Sequence, residues 1–151
     1  MSLVTLDEIA AKYGFELCDV FKIIKLKEKS EKTSETTKAT PDDSGKSIGD
    51  AYKELERETN KALGILIEDG PFAYSVWLES KNEAPHKSIN NQSIGILKDE
   101  NVSLINNNNL REGVLNDIAS DLNKLILTKK VLERMLIYAR YRAKALQKGV
   151  K

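Results

Sequence analysis

Apolar residues in this chain recur at three- and four-residue spacing in every strongly apolar segment, and no stretch shows a persuasive two-residue alternation. That periodicity restricts the chain to helices. Near the C-terminus, Leu132, Met135, Leu136, Ala139, Ala143 and Leu146 share one face at about 100° per residue, the stripe a helix turns toward a core. Helices with one such stripe must bury it against each other, so the predicted class is all-α, a compact bundle of about five helices. A length of 151 residues suffices for one domain with a real core, spanning 1–151.

The first segment starts with Thr5 as N-cap and Glu8 three residues on, a capping box, followed by Leu6, Ile9, Ala10 and Tyr13. Phe15, Leu17, Val20, Phe21, Ile23, Ile24 and Leu26 continue the apolar face, and Gly14 leaves open one long helix or two short ones. Residues 30–49 contain no Val, Leu, Phe, Tyr or Trp and are rich in Ser, Thr, Lys, Asp and Glu, so they read as a flexible polar linker or insertion. A second helix is expected from about Ala51 to Glu68, stopped by Asp69-Gly70, with Pro71 starting the next element. The segment from Pro71 to Lys81, with Phe72, Tyr74, Val76, Trp77 and Leu78, is expected at the centre of the core. From Asn82 to Asn109 polarity rises, and only short apolar runs remain, as helical turns or loops. Helix resumes near Leu110 with Leu115, Ile118, Leu122, Leu125 and Ile126 as inner face, and Thr128 marks the junction to the terminal helix.

Charge is distributed unevenly along these elements. Residues 129–151 hold eight Lys or Arg and one acid, Glu133, for +7, while the other 128 residues sum to −6. Such a block draws polyanions to one end of the molecule. Opposite the apolar stripe of the terminal helix lie Lys130, Arg134, Ile137, Tyr141, Lys144 and Lys148. Four cations in a row on a rigid helix can track phosphates, and Tyr141 among them can stack on a base or a sugar. Helices also place Lys and Arg on their solvated side by default, and cations near a C-terminus favour the macrodipole.

Several chemistries are disfavoured. Cys18 is the sole cysteine, set among Leu17, Val20 and Phe21 as a small buried thiol, and His86 is the sole histidine, in a polar loop. Neither metal ligation nor a nucleophilic triad can be assembled from them, and no metal or cofactor is expected. Gly45-Lys46-Ser47 lacks the first glycine of a phosphate-binding loop, which would fall at Thr40. The carboxylate pairs Asp42-Asp43 and Asp99-Glu100 lack neighbours that would tune them, so no enzyme is predicted. With no long apolar run and no basic leader, the expected location is cytoplasmic, away from membranes.

Two nucleic-acid readings follow from the residues. Ile9, Ala10, Gly14, Phe15, Val20 and Ile23 have the spacing of a helix-turn-helix over residues 5–26, in which Gly14 makes the turn. The helix Glu16 to Lys25 would then enter a DNA groove with Lys22 and Lys25. The other reading rests on longer runs. Ala11-Lys12-Tyr13-Gly14-Phe15-Glu16 with Val20, then Leu66-Ile67-Glu68-Asp69-Gly70 with Ala73, Leu78, Ser80 and Lys81, then Tyr138-Ala139-Arg140 with Ala143 and Ala145-Leu146, resemble the small helical subunit of type III-B CRISPR effector complexes, the Cmr complexes. Asp69 stands where that family usually has Asn, and Pro71 where it has leucine. The resemblance implies a non-catalytic subunit, present in more than one copy, packed along the backbone of an RNA-guided complex. Its implied partners are the other subunits, further copies of itself, and guide and target RNA, the RNA being met by the terminal basic helix through Lys130, Arg134, Tyr141, Lys144 and Lys148.

Overall fold

The structure, a computed structural model, describes residues 5–35 and 48–148, and for 29–35 the backbone alone. All regular elements among the described residues are helical. The chain is an all-α helical bundle.

Helix α1 (Leu6–Glu35) opens as predicted, with the Thr5 hydroxyl accepting from the Glu8 N–H at 3.2 Å and Asp7 and Glu8 in the first turn, where the macrodipole favours carboxylates. It runs unbroken through Gly14. Ile9, Ala10, Leu17, Cys18 and Phe21 enter the core, whereas Phe15, Ile23 and Leu26 of the expected apolar face are exposed. The helix also continues six residues into the expected 30–49 linker. Asp42-Asp43 and Gly45-Lys46-Ser47 lie outside the described residues.

Helix α2 (Ile48–Ser80) is two helices joined at Gly70, whose φ of +94° and ψ of 177° break the helical path where the Asp69-Gly70-Pro71 signal placed it. Tyr52, Leu55, Ala62 and Leu66 of the first half are buried. The second half is more one-sided than its composition suggested. Tyr74 and Leu78 are buried, but Phe72 and Val76 point outward and Trp77 is half-buried.

Helix α3 (Ala84–Lys98) occupies much of the stretch expected to be turns or loop. Its inner face mixes Ile89, Ile96 and Leu97 with Ser88, Gln92 and Ser93. The hydroxyls of Ser88 and Ser93 donate to the carbonyls of Ala84 and Ile89 one turn back, and Ser93 also meets the Tyr74 hydroxyl at 2.6 Å. These bonds let small polar residues occupy core positions.

A short helix α4 (Leu110–Gly113), capped by the Asn109 side chain, passes into a π-turn over Val114–Ile118, and α5 (Leu122–Gln147) begins after Asp121, whose carboxylate accepts from the N–H groups of Asn123 and Lys124. The wider π-turn and the break after it shift the helical register. Leu110, Val114 and Ile118 therefore face inward, while Leu115, Leu122 and Ile126, expected inside, are exposed. Thr128 lies within α5 and the junction is at Asp121.

Helix α5 packs most extensively against α2 and α1, and its inner residues Leu132, Met135, Leu136, Ala139 and Ala143 are fully buried. It runs antiparallel to α2, with Lys129 Nζ donating to the Ile67 carbonyl, Arg140 to Asn60, and Gln147 to Glu56. Against α1 the approach is closest at Gly14. A Cβ there would lie 2.7 Å from the Met135 carbonyl oxygen and 3.0 Å from the Ala139 nitrogen.

Candidate nucleic-acid interface

With its inner face committed to the core, α5 presents the opposite side outward. Lys130, Arg134, Tyr141, Lys144 and Lys148 are all exposed, and Ile137 is half-buried between them. From Lys130 to Lys148 the row extends about 27 Å at 1.5 Å per residue. No described carboxylate pairs with Lys130, Lys144 or Lys148. These three lysines and the Tyr141 ring, 57% exposed, are the groups open to a ligand.

Arg134 is differently placed from its neighbours. Its guanidinium donates to Asp7 of α1 at 2.9 Å, and the Tyr138 hydroxyl donates to the other oxygen of the same carboxylate at 2.7 Å. The hydrogen bond to Asp7, with burial second, raises the Tyr138 phenol above its ordinary range. Both members of the ion pair are about half exposed, and exposed pairs contribute roughly 0 to 1 kcal/mol. A phosphate can therefore compete with Asp7 for Arg134. Lys130, Glu133, Ile137 and Tyr141 complete an open groove of about 590 Å³ around this pair.

Two arginines flank the row. Arg140 lies over the Tyr141 ring at 5.4 Å, and Arg142 over the Phe15 ring of α1 at 5.8 Å. Phe15 in turn meets Tyr138 edge-to-face at 6.3 Å. The cationic surface is thus broader than one row and carries aromatic rings that reach α1. Arg140 and Arg142 fall at the borders of the polar arc, a position the single-row reading omitted.

Lys22 and Lys25 sit on α1 rather than in the α5 row. Lys22 is exposed, while Lys25 pairs with Glu54 of α2 at 3.3 Å. The helix-turn-helix geometry is not formed, because α1 is continuous where that motif needs a turn. Gly14 serves instead as the point where the α1 and α5 backbones meet.

Away from this face, His86 is buried rather than in a loop. Its Nε2 lies 3.0 Å from Glu58 Oε2, and its ring meets Trp77 edge-on at 5.1 Å. Burial opposes ionisation of Glu58, but hydrogen bonds from His86 and Lys61 outweigh it and hold the carboxyl below its ordinary range. Cys18 is buried as expected, its thiol donating to the Ala139 carbonyl at 3.6 Å. Burial pushes the thiol up to about 12. Among the described residues no group of three His, Cys, Asp or Glu is placed to hold a metal ion, and no helix is long and apolar enough to cross a membrane. Comparison with protein-family models, curated proteins and solved structures finds no match to this chain.

Proposed function

We propose that this protein is a non-catalytic helical subunit of a cytoplasmic RNA-guided CRISPR effector complex of the type III-B kind, which contacts guide and target RNA through the outer face of α5. The observation that carries the reading is the row of Lys130, Tyr141, Lys144 and Lys148 exposed on one rigid helix, widened by Arg134, Arg140 and Arg142. Cations on phosphates fix position without reading sequence, so base pairing between guide and target supplies specificity. The sequence resemblance supplies the assembly context, including neighbouring subunits and further copies of this chain.

Purification of the tagged protein from its host, with identification of co-purifying proteins and RNA, tests the proposal. Recovery with other effector subunits and guide RNA is expected. A second preparation carrying Lys130→Glu, Arg134→Glu, Lys144→Glu and Lys148→Glu should lose RNA while remaining helical. Recovery of the unaltered protein without RNA and without effector subunits refutes the reading.

A further inference from the structure

A second polar cavity, of about 220 Å³, lies between the end of α2, the first turns of α3 and the start of α4, and α5 contributes nothing to its lining. Lys81, Lys87 and Arg111 bring three cations against one carboxylate, Glu79, which Arg111 already engages. Of the amides at its wall, Asn109 caps α4 and Asn108 accepts from Lys98. Asn82 and Asn90 make no side-chain hydrogen bond among the described residues. His86 also lines the cavity. It is 2% exposed, and Nδ1 has no partner among the described residues, a costly state for a buried ring nitrogen. Glu83, which precedes α3, makes no side-chain cap, so first-turn N–H groups of that helix remain open nearby, with the Glu83 carboxylate offsetting part of their positive potential.

We propose that this cavity binds a single nucleotide, with the phosphate at Lys81 and Lys87 and the base edge at Asn82 and Asn90. A bare anion would leave the amides unused, and a neutral base would leave the two lysines unused. Side-chain amides offer a donor and an acceptor together, the pattern that base edges complement. Nδ1, left without a partner while Nε2 meets Glu58, can hydrogen-bond a ring or exocyclic group of the base or a sugar hydroxyl. The buried side chains of Leu78 and Leu110 give the base an apolar wall, and the cavity, smaller than the roughly 300 to 1,000 Å³ that encloses a whole ligand, takes the base while the phosphate stays at the rim beside the exposed Lys81 and Lys87. This site stands independently of the α5 reading.

The chain contains one Trp and one His, and their rings touch, so Trp77 fluorescence and the His86 ring resonances both report on the cavity without labels. The full chain is titrated with the four nucleoside monophosphates, inorganic phosphate, adenosine and a short single-stranded oligonucleotide. At least one monophosphate, or the oligonucleotide if the nucleotide belongs to a strand, should give a saturable response about tenfold tighter than phosphate or adenosine. Lys87→Ala and Asn90→Ala should each weaken the monophosphate response about tenfold with an unchanged helical spectrum, whereas Lys144→Glu with Lys148→Glu, which alters strand binding on α5, should leave the response to the single monophosphate intact. An equal response to inorganic phosphate overturns the proposal in favour of a plain anion site. Silence of every compound at millimolar concentration, or binding lost only in the α5 variant, overturns it outright.

Discussion

A methyl group on Gly14 would press on backbone atoms of α5, the Met135 carbonyl and the Ala139 amide, which cannot rotate away as a side chain can. Gly→Ala inside a helix otherwise gains about 1 kcal/mol from propensity, and overpacking costs typically 1 to 3. Gly14→Ala is therefore expected to destabilise by up to about 2 kcal/mol. Gly64→Ala on α2, with nothing within 4 Å of the added methyl, is expected to stabilise by up to about 1 kcal/mol. Denaturant melts of the pair check this, and a stabilising Gly14→Ala would contradict the close crossing. Cys18, held neutral by burial, should resist alkylation in the folded protein at neutral pH and react only on unfolding, as mass spectrometry would show. Glu58 adds a pH dependence. Because its folded pKa is depressed, its contribution is present above the ordinary carboxylate range and is lost as pH falls through the folded value. The melting difference between the protein and Glu58→Gln should be largest at neutral pH and shrink in acid; a difference that grows in acid would reverse the assignment.

At the scale of elements, the break in α2 and the uneven burial after it set the next expectation. Trp77 is half-buried against His86, so Trp77→Ala should cost about 2 kcal/mol, below the 3 to 5 of a fully buried aromatic, and Tyr74→Ala should cost more. Equal losses in thermal melts would place Trp77 deeper than the structure does. These elements also show what the residues revealed in advance. The α5 faces were legible because aliphatic residues at helical spacing have one place to go, and Gly70-Pro71 was legible because each residue has a narrow conformational use. Helix α3 was not, since Ser88, Gln92 and Ser93 occupy inward positions with partners supplied by the fold. The π-turn was not, because a one-residue change of register leaves no compositional trace. At the candidate site the exposed cations were legible, whereas Arg134 pairing with Asp7 and Arg142 meeting Phe15 depend on which helix lies beside α5.

For the whole molecule, charge is segregated, with +7 on residues 129–151 and −6 on the remainder, and α5 turns much of the positive share outward. In the proposed assembly this would set a surface for polyanions apart from the rest of the bundle. Binding through it should depend strongly on salt and weakly on sequence. The most direct test measures RNA affinity of the assembled particle across a salt series, for the unaltered protein and for variants on α5. Each of Lys130→Ala, Lys144→Ala and Lys148→Ala should lower the slope of log affinity against log salt by roughly 0.7 to 0.9, with little dependence on RNA sequence. Tyr141→Ala should instead cost about 1 to 3 kcal/mol with the slope nearly unchanged. If reversing all four charges at Lys130, Arg134, Lys144 and Lys148 leaves RNA retention, assembly and slope unaltered, the α5 face is ordinary solvated surface and the account is contradicted.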